Sequence, residues 1–113
     1  MASPLSDSPT PGMRAAVIDE VGRIDAIHTT HLPVPRCGPG EVLIRVRAAA
    51  IDHVDVLVVT GAYPTRTPFP FVIGRDAVGE VVTVDGEAVP FTPGEMVWTN
   101  SLGYDGRAGV FAE

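Results

Sequence analysis

Apolar and polar positions alternate most regularly from Glu41 to Ala50, where Val42, Ile44 and Val46 interleave with Glu41, Arg45 and Arg47. A period of two predicts a half-buried strand with its charged face in water. Met13 to Ile18 (MRAAVI) reads as a first strand, Val21-Gly22-Arg23 as a turn, and Ile24 to His31 as a second strand that closes an opening hairpin with the first. Arg36 to Gly40 is a turn rich in Gly and Pro. The stretch AIDHVDVLVVTGAYP breaks the pattern. Its β-branched residues favour a strand, but Asp52 suits a helix N-cap, Asp55 lies three residues on, and Gly61 supplies a C-terminal stop, which together predict a short helix with Val54, Leu57 and Val58 on one face.

From Pro68 to Val84 the chain reads PFPFVIGRDAVGEVVTV. Pro68 and Pro70 fix φ and remove donors, so they argue for an ordered loop rather than a central strand. Gly74 permits a turn or a close backbone approach. Val78 to Val84 is strand-like, and Asp85-Gly86 is expected to close a hairpin. Pro93-Gly94 suits a type II turn before the strand Met96 to Thr99. Gly103, Gly106 and Gly109 are spaced GxxGxxG without a strand-turn-helix context, which makes that segment a loop and not a phosphate cradle. Residues 1–12, rich in Ser and Pro, are expected to be a disordered tail. Many short strands, Gly/Pro turns and one or two short helices predict a mainly β domain.

Composition narrows the chemistry. With 45% hydrophobic residues in 113 the chain is one ordinary globular domain. A net charge of −6 argues against nucleic acid or an anionic membrane as partner. All eight positive side chains are Arg, so no lysine base or Schiff base is available here. Cys37 is the single cysteine and makes neither an intrachain disulfide nor a zinc site by itself; it reads as a spare thiol in a turn. His28 and His31 are isolated from other metal ligands and read as ordinary strand histidines. The N-terminus lacks a basic start followed by an apolar core, and a cytoplasmic protein is the default expectation.

The ordered motifs TGAYP, PF..IG-polar-acid-A.GEV and PGEMV resemble the medium-chain dehydrogenase/reductase superfamily in its GroES-like catalytic domain, from about Met13 to Glu113. The resemblance implies a GroES-like, partly open β-barrel, agrees with the short helix after Ala50, and is nearest to the zinc-independent quinone oxidoreductases. In zinc-dependent alcohol dehydrogenases one ligand is a Cys three residues before an Asp, and another is the His of Gly-His-Glu. Here those places hold Asp52, ahead of Asp55, and Arg75 in Gly74-Arg75-Asp76. Arginine has no lone pair to give and its charge repels a dication, so no catalytic zinc is expected. Four closely spaced cysteines of the family's structural zinc lobe are replaced by Asn100-Ser101-Leu102-Gly103-Tyr104.

In the zinc-free branch an Asn-x-x-Asp segment and the Tyr of Gly-x-Tyr line the cleft near the nicotinamide. The matching positions are Asp52 (where Asn is usual), Asp55 and Tyr63. The resemblance thus implies Tyr63 and Asp52 as catalytic residues, Asp52, Asp55 and Tyr63 against the cofactor, and Arg75 and Asp76 in the substrate pocket. A salt bridge from Asp52 or Asp76 to Arg75 would compensate the buried charge. An amphipathic loop tyrosine closing the core explains Tyr63 equally well.

The implied reaction is hydride transfer from NADPH to a quinone or carbonyl substrate. No G-x-G-x-x-G fingerprint or βαβ alternation occurs, so the Rossmann dinucleotide-binding domain is expected on a part of the protein outside these residues. The family's homodimers commonly form through that domain. This segment is expected to be inactive alone. Three other readings stand beside this one: a non-catalytic binding module or pseudoenzyme, a GroES-type co-chaperonin, and a fragment of a zinc-dependent alcohol dehydrogenase using Asp52.

Overall fold

A computed structural model describes residues 12–113. The expected tail lies outside the described residues, apart from Gly12, which opens the first strand. The elements are β1 (Gly12–Ile18), β2 (His28–Pro33), β3 (Val42–Ala50), α1 (His53–Thr60), β4 (Phe71–Val72), β5 (Asp76–Val84) and β6 (Met96–Thr99). They form two three-stranded sheets, in the orders β2-β1-β4 and β3-β5-β6, with every pairing antiparallel. Among the described residues the domain is mainly β, with one α-helix and no closed barrel. Among the described residues no helix is long and apolar enough to cross a membrane.

The opening hairpin is present, but its second strand starts four residues later than expected. Ile24–Ala26 is a single 3-10 turn, and Ile27 accepts no place in the ladder until the chain reaches His28. Arg23 donates to the Asp25 carboxylate at 2.8 Å across that turn, and the Ile27 N–H donates back to Ile24 O and closes it. His28 meets Asp19 at 2.6 Å, so it is an exposed hydrogen-bonded histidine.

The core sits on both faces of β1. Ile18, with Phe71 and Ile73, packs against Val58 and Val59 of α1, while Ala15, Val17 and Val72 pack on the other side against Leu32 and Ala112. Burying each of the larger side chains stabilises the fold by about 1.5–3 kcal/mol before entropy is counted. The face that α1 buries differs from expectation: Asp55, Val58 and Val59 are buried, whereas Val54 and Leu57 are only partly covered. Gly61 ends the helix at φ 81°, in the left-handed region that favours glycine.

Asp85-Gly86 does not close a tight hairpin. β5 and β6 pair between Ala77–Thr99 and Glu80–Met96, and residues 85–95 form a longer connection. Asp85 instead binds the turn before β3: its carbonyl accepts the Gly40 N–H at 2.8 Å and its N–H donates to Glu41 O at 3.2 Å. The type II turn at Pro93-Gly94 does form, with Glu95 N–H donating to Thr92 O at 3.1 Å and Gly94 at φ 93°.

The last segment is what draws the two sheets together. Gly109 N–H donates to Val72 O at 2.7 Å and Phe111 N–H to Ile73 O at 2.9 Å, while Ala16 N–H donates to Phe111 O at 2.8 Å. Glu113 then accepts the Val46 N–H of β3 at 3.2 Å. This packing requires glycine: a Cβ on Gly103 would lie 2.4 Å from Gly74 O, and one on Gly109 would lie 2.4 Å from the Ile73 carbonyl. Gly103→Ala, at φ 74° and against rigid backbone, should therefore cost on the order of 2–4 kcal/mol. Gly94→Ala meets nothing within 4 Å and should cost only about 1–2 kcal/mol from its positive φ. Urea unfolding midpoints of the two variants check the difference, and equal losses would refute the close-packing account.

Candidate active site

Strand register brings the acidic residues together. Ala50 at the end of β3 pairs with Asp76 at the start of β5, and two residues beyond Ala50 the chain turns into α1 at its N-cap, Asp52. Asp76 therefore comes to the first turn of the helix although it is far away in sequence. Asp55 closes the cluster: it is buried to 7% exposure, and its carboxylate accepts the Asp52 N–H at 2.8 Å as part of a capping box. Its carboxyl is pushed above the usual range, first by burial and further by the Asp52 charge, while the Asp52 N–H and Arg75 oppose the shift. Asp55 is thus committed to the helix start and does not face open space.

Asp52 and Asp76 interact through their side chains. Oδ2 of Asp52 and Oδ1 of Asp76 are both shielded from solvent and have no donor among the described residues. The Asp76 carboxyl is raised foremost by the neighbouring Asp52 carboxyl, which it can hydrogen-bond only when one of the two is protonated, then by desolvation and by the Asp52 charge. Asp76, Ala77 and Val78, with Ala48–Ala50 and Trp98–Asn100, also line an open cleft of about 480 Å³.

Gly74 directs Arg75. It sits at φ 105°, and a Cβ there would collide with the Phe111 ring at 2.5 Å. Beyond it the Arg75 guanidinium carbon lies 4.9 Å from the centre of the Tyr104 ring. The expected salt bridge is not made: among the described residues Arg75 has no carboxylate within 4.0 Å, and its effect on Asp55 and Asp76 is longer-range attraction. The ring face of Tyr104 offers the guanidinium a cation–π contact in place of an ion pair.

Tyr63 is 41% exposed, its N–H donates to Leu57 O at 3.0 Å, and its ring lies 6.2 Å from that of Tyr104 at 39°. Arg107 reaches the Tyr104 ring as well, at 4.7 Å, and holds its phenol below the usual tyrosine range. Tyr104 and Arg107 were not foreseen. They flank Asp105-Gly106, where both φ values are positive (54° and 77°) and Arg107 N–H donates to Tyr104 O at 3.0 Å. A two-residue Asp-Gly turn of this kind holds its flanking residues side by side, and that dipeptide was the available signal. Thr65 Oγ1 accepting from the Asp105 N–H at 2.7 Å ties the turn to the loop after Tyr63.

Among the described residues no three His, Cys, Asp or Glu side chains are placed to hold an ion. Cys37 is spent at the far end of β3, where its thiol donates to Glu41 O at 3.1 Å. Three carboxyls beside a fixed guanidinium form an unfavourable set for zinc. The spaced glycines likewise do not cradle a dinucleotide, because Gly103 and Gly109 are filled by the backbone of residues 73–74. What these residues offer a planar ring is the aromatic edge of Tyr63 and Tyr104.

Residues 38–113 match the alcohol dehydrogenase GroES-like domain model, and the chain belongs to this family, within the medium-chain dehydrogenase/reductase superfamily. It is 36% identical over 85 residues to an alcohol dehydrogenase of Rhizobium meliloti, covering 75% of this chain and 24% of that protein. Over 101 residues it is 34% identical to a chloroplastic quinone oxidoreductase of Triphysaria versicolor, covering 87% of this chain and 30% of that one. A cobalt- and zinc-bound thermostable alcohol dehydrogenase from Pyrobaculum aerophilum superposes with a TM-score of 0.81 at 26% identity, covering 91% and 38% of the two chains. The chain thus spans about a quarter to a third of the length of the curated relatives it matches.

A carboxyl whose pKa is higher folded than unfolded contributes stability in full below its unfolded value, and that contribution is lost as pH rises through the folded value. Asp76 is raised in this sense. Asp76→Asn should therefore raise the urea midpoint relative to the parent at neutral pH and leave it unchanged at pH 3; a lowered midpoint at neutral pH would contradict the repulsive pair.

Proposed function

We propose that these residues are the substrate-side domain of a zinc-independent, NADPH-dependent oxidoreductase acting on a quinone or enone, inactive without its dinucleotide-binding domain. The observation that carries this reading is Arg75, placed against Tyr104 and electrostatically coupled to Asp55 and Asp76, where a zinc enzyme needs a lone-pair donor. The similarity to a quinone oxidoreductase supports it. In this reading the substrate lies in the cleft beside Asp76 and Trp98, and the reduced nicotinamide supplies the hydride. Tyr63 and Asp52 border the reacting groups, with the Tyr63 hydroxyl donating to an oxygen that gains charge. Asp55 serves by holding Asp52 at the helix start. Arg75 offsets the acids and orients Tyr104. The protein works in the cytoplasm on a small neutral carbonyl compound, paired with its Rossmann domain and forming a homodimer through it.

The zinc-dependent reading draws on the zinc-bound alcohol dehydrogenase of the same fold and is separated by metal analysis. The full-length protein is expected to contain far less than one zinc per chain and to keep its NADPH-dependent quinone reduction in chelator. Tyr63→Phe is expected to lower kcat/KM by about 10- to 100-fold without altering the unfolding midpoint. Stoichiometric zinc with activity lost to the chelator would overturn this function in favour of the metal enzyme, and no turnover with any quinone or enone would favour a non-catalytic module.

A further inference from the structure

Two carboxyl oxygens that are buried and face each other without a donor are unstable as two anions. Asp52 Oδ2 and Asp76 Oδ1 are in this position: both are out of contact with water, and no N–H or O–H of the described residues reaches either. The backbone cannot relieve them. The Asp52 N–H is already given to Asp55 at 2.8 Å, and Asp76 is held opposite Ala50 by the β3–β5 register. The remaining charged groups nearby do not supply a donor either. Asp55 adds a third negative charge, Arg75 attracts from beyond 4.0 Å while lying on Tyr104, Arg107 is on the far loop at the same ring, and the exposed His53 follows the cap. From β6 the cleft receives Trp98 and Thr99, which carry no charge.

We propose that Asp52 and Asp76 share a single proton, and that this carboxyl–carboxylate pair is the proton donor at the cleft. The role as donor rests on the reductase reading given above; the shared proton does not. A proton between two carboxyls satisfies both orphan oxygens at once and removes one of two like charges. When hydride adds to an electron-poor carbon of the substrate, its π bond breaks and an oxygen gains the electron pair. The pair's O–H bond then breaks, a new O–H bond forms on the substrate, and two carboxylates are left until water returns a proton through the open cleft. The pair thereby gives the site a transferable proton, which the N–H donors of a neutral amide in the place of Asp52 would not supply, and it selects a neutral oxygen acceptor.

Carboxyl carbon NMR of the 113-residue chain, labelled at aspartate, tests the shared proton without substrate or cofactor. The expected result is that the carboxyl carbons of Asp52 and Asp76 respond to the same two protonation steps. Asp52→Asn should replace them with a single Asp76 step at lower pH than the upper step of the parent. Separate, independent steps for the two residues in the parent, or an unmoved Asp76 step in Asp52→Asn, would overturn the shared proton. In the full-length protein, Asp76→Asn should lower kcat by about 100-fold or more and remove the upper-pH decline that follows loss of the shared proton. An unchanged pH profile would overturn the donor role, and absence of reductase activity in the parent would remove the donor role while leaving the NMR result intact.

Discussion

The backbone contact between the last segment and residues 73–74 is the constraint on which the rest of the domain depends. Gly103 and Gly109 carry no Cβ, and this lets the chain from Ser101 to Glu113 lie directly on Ile73 and Gly74. That contact covers one side of β1 with Ala112 and the other with Phe111. It also brings Glu113 to Val46, the backbone hydrogen bond that links the last segment to the second sheet. Buried backbone groups must be paired, and here the pairing of an irregular segment with a two-residue strand does the work that a longer sheet would do elsewhere. The site inherits its geometry from the same contact, since Gly74 can turn toward Arg75 only because the Phe111 ring fills the place of its absent side chain.

Electrostatics at the site are arranged by exclusion rather than by pairing. Arg75 adjoins Asp76 in sequence and attracts Asp55 and Asp76 at longer range, yet it lies on an aromatic ring. The acids are left to one another. Asp55 is satisfied by the Asp52 N–H, and the unsatisfied oxygens fall on Asp52 and Asp76. A buried charge left without a partner is costly, and sites where such costs are tolerated tend to be functional. The exposed ion pairs, such as Arg47 with Glu80 at 2.7 Å, lie away from this cluster and contribute little by comparison.

Membership of a dehydrogenase family explains the scaffold without deciding its chemistry, because a fold does not fix a function. In this chain the helix start carries Asp52 and the turn after Gly74 carries Arg75, and Trp98 stands 72% exposed on the same sheet as the cleft.

The family, the mainly β class, the capped helix at 53–60 and the type II turn at Pro93-Gly94 were all legible in local chemistry, because caps, turns and period-two alternation act over four or five residues. Errors arose where two local signals were identical. Asp-Gly occurs at 85–86 and at 105–106, and only the second makes a tight turn, since tertiary contacts draw Asp85 to Gly40 and Glu41 instead. The strand expected from Ile24 starts only at His28, because the backbone of residues 24–27 closes on itself in a 3-10 turn instead of pairing with β1. By itself the sequence singled out Asp52, Tyr63 and Arg75 as candidate site residues. Only the tertiary structure decided that Asp76 meets Asp52, that Arg75 turns to Tyr104, and that Tyr104 joins Tyr63, because each of these depends on strand register and on glycine-permitted backbone contact between segments far apart in the chain.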